Sequence, residues 1–209
     1  ILYMSITHNE NGSLFLGTSD NRINEIYDGK TIIHHLPDNP VVSGWQRDQL
    51  FSQGKIFSFS DAGPYINYTK PIRDTSSKPI NAKVALLLND SIIIIGTHVS
   101  LYQLNTRTEK IAPLNNHLTR VTSITSYNEH LIYYGSTDGL HKYDIDQQKD
   151  IRLDKTNPLL EERVVSLCTD VDHIIWVATA GNGIVAVQND TVLAHFTTQQ
   201  GLINNSIRT

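Results

Sequence analysis

The chain repeats a pattern about every 40 residues, five times over, and each unit carries the residue types of four short strands. A small residue among apolar ones precedes a polar hairpin tip. An apolar run then ends in a small residue beside Ser or Thr, and a loop and further strand-forming runs follow. The apolar runs end at Gly17-Thr18, Ser58-Phe59, Gly96-Thr97, Gly135-Ser136 and Ala178-Thr179, and the small residues ahead of them are Ser5, Ser43, Ala85, Ser123 and Ser166. Four strands per unit at this period predict an all-β β-propeller, a single array of four-stranded antiparallel blades that each bury a face against the next. The blades fall at approximately 1–38, 39–80, 81–118, 119–160 and 161–203, with 204–209 starting a further one. Innermost strands converge on the propeller axis, so the small residues are expected to be architecture, letting neighbouring blades approach.

Blade four gives the clearest strand reading: Val121 to Thr125, Leu131 to Gly135, Leu140 to Asp144 and Ile151 to Leu153. Blade five repeats it with Val164 to Thr169, Ile174 to Ala178, Gly183 to Val187 and Val192 to Phe196. Blade one turns at Asn11-Gly12 and Asp28-Gly29, both strong hairpin dipeptides. Blade two departs from the pattern. Gly44 to Gly54 is longer than its counterparts and carries Trp45, Gln46, Arg47 and Asp48, which implies either an extended hairpin or a shifted register. Trp45 is expected to be exposed there, whereas mid-strand Trp176 and the single cysteine, Cys168, are expected to be packed.

Charged residues make up 18% of the chain, and a net charge of -4 with interspersed signs leaves no electrostatic footprint for nucleic acid or anionic lipid. The longest apolar runs, Ala85 to Leu88 and Ile92 to Ile95, are far shorter than the roughly 20 residues of a membrane span. One cysteine excludes an internal disulfide. The chain opens at Ile1 without an initiator Met or a signal-type stretch, and Thr209 stands where Ser166 stood in the previous unit. It therefore reads as an excerpt of a larger propeller, with end blades whose faces are uncovered and prone to self-association.

The segment Leu167 to Val187, with its Ile175-Trp176-Val177-Ala178-Thr179-Ala180-Gly181-Asn182-Gly183-Ile184 core, resembles the two-component regulator propeller repeat. Ile124 to Tyr143 and Leu14-Phe15-Leu16-Gly17-Thr18 fit the same pattern, and Phe196 to Asn205 looks like the linker between such repeats. Gln200 replaces the usual Asp of that linker, and Trp occupies one of the five expected sites, marking a divergent member. The resemblance implies the extracytoplasmic, periplasmic sensor region of a Bacteroidetes-type hybrid histidine kinase. It further implies oligosaccharide sensing, a homodimer through the sensor region and a membrane-anchored parent protein.

A sugar sensor needs planar hydrogen-bonding side chains on loops of a stiff scaffold and no catalytic group or cofactor. The loops entering the innermost strands, with those between second and third strands, present Asp20, Asn21, Tyr65, His98, Arg120, Asp138, Arg163, Asn182 and Asn205. Of these, His98, Arg120, Asp138, Arg163 and Asn182 are the candidate ligand-binding residues. A propeller enzyme such as a metal-dependent lyase is the alternative, for which His98 with Asp138 is the one available pair. The His34-His35 doublet and Asp170 with Asp172 are expected to be solvated surface, without metal-ligand spacing. A protein-interaction scaffold is the third reading, although the Trp-Asp and Gly-His signals of the WD40 repeat are missing.

Overall fold

The computed structural model describes residues 2–36, 46–74, 80–116 and 119–208. Their strands form five four-stranded antiparallel sheets, each a meander in chain order. The first sheet joins β1 (Tyr3–His8), β2 (Leu14–Thr18), β3 (Arg22–Tyr27) and β4 (Lys30–His35). The second joins β5 (Gln46–Ser52), β6 (Lys55–Ser60), β7 (Gly63–Ile66) and β8 (Lys70–Pro71), and the third β9 (Val84–Asn89), β10 (Ile92–Gly96), β11 (Ser100–Asn105) and β12 (Ile111–Asn116). The fourth joins β13 (Val121–Ser126), β14 (Leu131–Ser136), β15 (Gly139–Asp144) and β16 (Lys149–Arg152), and the fifth β17 (Val164–Thr169), β18 (Ile175–Thr179), β19 (Ile184–Gln188) and β20 (Thr191–Phe196). The chain divides into two compact units, residues 1–98 with 102–113, and residues 99–101 with 114–209.

Two-residue turns with both residues in the left-handed region close several hairpins, because that backbone twist matches the twist of paired strands. Asp28-Gly29, Gln53-Gly54 and Asn189-Asp190 all have this conformation. Gln53-Gly54 resolves the irregular blade two. The hairpin there is tight, and the extra length belongs to the seven-residue innermost strand β5. Register shift is thus the correct one of the two alternatives.

Each sheet sets one residue of its innermost strand opposite a residue near the end of its second strand. The pairs are Ser5 with Gly17, Asp48 with Phe59, Val84 with Gly96, Ser123 with Gly135 and Ser166 with Ala178. Two sequence assignments are corrected by one residue. The second strand of blade two ends at Phe59-Ser60, not Ser58-Phe59, and Val84, not Ala85, faces Gly96. Ser43 and Trp45 lie outside the described residues, and Asp48 holds the place assigned to Ser43. In four sheets a β-bulge immediately precedes this position, turning the innermost strand.

The bulge brings neighbouring innermost strands into direct contact. Ser123 Oγ accepts the backbone N–H of Leu167 at 2.9 Å, and Thr122 Oγ1 donates to the carbonyl of Val164 at 2.7 Å. The equivalent acceptor between the second and third sheets is Asp48 Oδ2, which takes the N–H of Ala85 at 3.2 Å. Gly135 is required here because a Cβ at that position would overlap the Val164 side chain; at Gly17 it would overlap Ser5 Oγ and the Gln49 amide.

The Ser or Thr at the end of each second strand, or just past it at Thr97, is a buried hydroxyl: Thr18, Ser60, Thr97, Ser136 and Thr179. Ser60 Oγ donates to the Gly63 carbonyl at 3.0 Å and Thr179 Oγ1 to that of Gly183 at 2.9 Å, while Thr18 Oγ1 and Ser136 Oγ each share one proton between a carbonyl, Arg22 at 2.9 Å or Gly139 at 3.1 Å, and the carboxylate of Asp20 or Asp138. Each of these hydroxyls also accepts a loop N–H, from Arg22, Ala62, Asp138 and Asn182 respectively. One side chain therefore closes the loop between the second and third strands.

Apolar side chains fill the space between sheets within each unit. Phe57, Phe59, Ile93 and Ile95 pack between the second and third sheets, Phe15, Ile23 and Ile56 between the first and second. Tyr133, Leu140, Val164, Leu167, Val177 and Val185 form the core of the second unit. Each such side chain contributes about 1.5–3 kcal/mol on burial. Tyr65, expected on a loop, is buried on β7 within the first of these cores. Cys168 is exposed and Trp176 only half-buried, both contrary to expectation, because they lie on the face of the fifth sheet opposite Leu167 and Val177.

Asp48 is a carboxyl in the place of a Ser, and burial raises its pKa to about 6 despite bonds from the Ala85 and Gln49 amides. A folded-state value above the unfolded one means that its ionisation opposes folding as pH rises from about 4 to about 6. Asp48→Asn, which keeps an acceptor, is expected to unfold at a higher temperature than the parent chain at pH 7 to 8, by on the order of 2 kcal/mol. Thermal melts of the two proteins should converge below about pH 4.

Candidate functional site

The expected recognition face is assembled blade by blade. In the first, fourth and fifth sheets the residue entering the innermost strand offers its carbonyl to the loop between second and third strands. Ser19 N–H bonds the Leu2 carbonyl at 2.9 Å, Thr137 N–H that of Arg120 at 3.2 Å, and Ala180 N–H that of Arg163 at 2.9 Å. The two loop types named by the sequence thus meet on these three blades.

In the first unit Asp20 accepts from Thr18 Oγ1 at 2.6 Å and pairs with Arg22, which holds its carboxyl down at about 2. Asn21 adopts a left-handed backbone, donates to the Leu36 carbonyl at 3.3 Å and accepts from Gln46 Nε2 at 3.0 Å. Asp61, which the shifted register of blade two concealed, is buried and takes both Nε and a terminal amino group of Arg47, at 3.2 and 2.9 Å. Lys83 also pairs with Asp61; burial opposes ionisation, but the two cations outweigh it and lower the pKa. His98 is exposed.

In the second unit Asp138 is the hub of a network. Oδ1 accepts from Thr119 Oγ1 at 2.8 Å and from Ser136 Oγ, and lies 3.4 Å from His141 Nε2, while Oδ2 accepts from Arg152 at 3.1 Å. Burial works to raise its pKa, yet these donors bring it down to about 2. Arg152 continues to Asp154 with bonds of 3.1 and 2.7 Å. His141 is fully buried and stacks on Tyr134 with ring centroids 4.8 Å apart, and Tyr134 donates to Asp150 at 2.6 Å. The sequence reading passed over His141, Arg152 and Asp154. The one available signal was a histidine at the strand position that Val185 fills in the next repeat.

The remaining candidates belong to the loops themselves. Asn182 accepts from His195 Nε2 through its carbonyl at 2.6 Å, and its side-chain amide donates to Leu159 at 3.4 Å. Asn205 Oδ1 accepts the Thr198 N–H at 2.8 Å, and its carbonyl accepts that of Gly183. Arg120 is half-buried; Arg163 is exposed, and its guanidinium makes no ion pair among the described residues. Of the groups expected on open surface, His34 is instead half-buried, 2.8 Å from Glu25 and stacked on Tyr68. Asp170 orders its hairpin by accepting from Asp172, Ile174 and the Trp176 indole.

Among the described residues no group of three or more His, Cys, Asp or Glu side chains converges as metal ligands. A groove lined by Asn9, Glu10, Asn11, Phe51, Ser52, Gln53 and Gly54 lies at the opposite, hairpin end of the first two sheets. No described helix is long and apolar enough to cross a membrane.

No protein-family model and no curated protein matches the chain, so its resemblance to two-component regulator repeats rests on the quoted residues alone. Solved structures do match. PorZ, an essential bacterial surface component of the type-IX secretion system of Porphyromonas gingivalis, superposes with a TM-score of 0.69 at 16% identity, covering 97% of this chain and 35% of that one. BamB from Moraxella catarrhalis superposes with a TM-score of 0.65 at 15% identity, covering 93% of this chain and 62% of that one. Both are β-propeller proteins, and this chain has the β-propeller fold. It spans about a third of the length of PorZ and under two thirds of that of BamB.

The depressed pKa of Asp138 adds stability that is present above pH 3.8 and lost as pH falls through about 2. Asp138→Ala is expected to cost about 1.5–3 kcal/mol in denaturant titrations at pH 7, the scale of hydrogen bonds to a charged group. The difference should shrink between pH 4 and pH 2.

Proposed function

We propose that this chain is a non-catalytic recognition propeller of an extracytoplasmic protein, binding an oligosaccharide through the loops that enter the innermost strands and those that join second to third strands. The observation that carries this reading is Arg163. Its side chain is exposed and without an ion-pair partner among the described residues, while its backbone is fixed to Ala180 and the adjoining loop is closed by the buried Thr179 hydroxyl. A free planar donor on a rigid loop suits a polyol, since little conformational freedom is lost on binding. Arg120 occupies the same place on the preceding blade. The saturated carboxylates Asp20 and Asp138 serve to hold loops, which leaves the exposed guanidinium of Arg163 to meet the ligand.

The likeness to a bacterial surface component supports an extracytoplasmic setting. In the finer form of the proposal the chain belongs to the periplasmic sensor region of a hybrid histidine kinase, whose dimer geometry shifts when ligand binds. The same likeness favours a second reading, a surface scaffold that engages protein through this face.

Calorimetric titration with defined oligosaccharides tests the first reading. Micromolar binding of one glycan class, weakened at least tenfold by Arg163→Ala or Arg120→Ala, is the expected result. Binding untouched by both substitutions would place the site elsewhere, and absence of binding across the panel would favour the scaffold.

A further inference from the structure

His141 is the one fully buried histidine among the described residues, and both of its ring nitrogens face carboxylates. Nε2 lies 3.4 Å from Asp138 Oδ1 and Nδ1 lies 3.9 Å from Asp150 Oδ1. The three residues come from three segments: His141 from β15, Asp150 from β16 and Asp138 from the loop between β14 and β15. Neither carboxylate can swing away. Asp150 Oδ2 accepts from the Tyr134 hydroxyl at 2.6 Å and the Asn115 amide at 2.8 Å, and Asp138 is held by Thr119, Ser136 and Arg152. The imidazole is fixed in turn by its stack on Tyr134, with 13° between the rings.

A neutral imidazole carries one N–H and one lone pair. In either tautomer one ring nitrogen would turn its lone pair toward a carboxylate oxygen, a repulsive contact that a buried site does little to screen. The imidazolium presents an N–H to both. Burial by itself opposes the charge, so the surrounding groups decide the balance. Three carboxylates cluster here, Asp138, Asp150 and Asp154, against two other cations, Arg152 and Lys155. Arg152 and Lys155 bond Asp138 and Asp154, which leaves the ring to face Asp150. At Asp138 and Asp154 burial works against ionisation, and hydrogen-bond donors together with the attraction of His141 outweigh it, so both carboxyls sit below the ordinary value. Burial and the bond to Asp150 keep the Tyr134 hydroxyl protonated, so it remains a donor.

We propose that His141 is a pH-operated latch on the β14–β15 loop: as the imidazolium it ties Asp138 to Asp150 and holds the loop closed, and loss of its proton releases the loop. The latch reaches the surface through one bond, because Thr137, next to Asp138, donates its N–H to the Arg120 carbonyl at 3.2 Å. The fifth sheet has the equivalent bond, from Ala180 to Arg163 at 2.9 Å, but Val185 stands in the place of His141. One blade therefore responds to pH and its neighbour does not. Ligand affinity through Arg120 then falls on the alkaline side, a consequence that alone rests on the recognition reading.

The latch is tested in the whole chain without ligand. With 15N-labelled histidine, assigned through backbone correlations, both ring nitrogens of His141 should be protonated at pH 7.5, where an unperturbed histidine is about nine-tenths neutral. Amide exchange at Thr137 relative to Ala180, a ratio that cancels the intrinsic dependence on pH, should rise by roughly tenfold as pH is raised through the loss of that proton. His141→Val should hold the ratio constant with pH, and the two readouts in the parent chain do not require that variant. A neutral His141 at pH 6, or a ratio unchanged when the ring deprotonates, would overturn the proposal. A ring still protonated at pH 10 would make His141 a fixed strut and overturn it equally. Neither readout involves an oligosaccharide, so failure here is distinct from failure of the recognition reading.

Discussion

The structure depends on how closely two innermost strands approach. The innermost strands are sheet edges, so their outward-facing backbone amides have no ladder partner, and burying them unpaired would cost about 1–3 kcal/mol each. Each unit solves this with a side chain from the preceding sheet, Ser123 for the Leu167 amide and Asp48 for that of Ala85. Between the first and second sheets and between the fourth and fifth, the close approach leaves no room for a side chain on the second strand at the facing position. Gly135 and Gly17 meet that requirement, and any Cβ there would overlap the neighbouring sheet.

Rigidity at the inner strands is passed to the loops by the next residue along. The hydroxyl after the small residue is buried, donates to one loop carbonyl and accepts one loop N–H, so a loop of a few residues is tied at both ends. Carboxylates on these loops are satisfied locally, by Arg22 at Asp20, by Arg47 and Lys83 at Asp61, and by Thr119, Ser136 and Arg152 at Asp138. A ligand approaching this face meets fixed backbone, and Arg163 is the group best free to answer it. In the proposed reading, recognition by such a surface rests on hydrogen-bond geometry.

Where the repeat kept its small residues, the sequence was legible to within a residue or two, as β13 to β15 and β17 to β20 show. Blade two was misread because its markers are replaced. Asp48 stands for Ser and Phe59 for Gly, and the polar Gln46 and Gln49 sit buried on an innermost strand, so the expected alternation is absent. That shift also hid Asp61. Cys168 and Trp176 were misjudged for a different reason. Both faces of a blade strand are apolar, and periodicity separates the faces without saying which one a neighbour covers. Of the loop candidates Tyr65 lies on β7, and the donors that occupy Asp138 come from Thr119 and Arg152, contacts that spacing alone does not reveal.

The link from side chain to neighbouring amide is open to direct measurement by hydrogen exchange on the Leu167 N–H in the parent chain and in Ser123→Ala. Removal of this acceptor should speed exchange at Leu167 by roughly tenfold, while ladder amides such as that of Val177 keep their protection. Unchanged protection at Leu167 would contradict the account, since the amide would then not depend on the side chain that the repeat supplies.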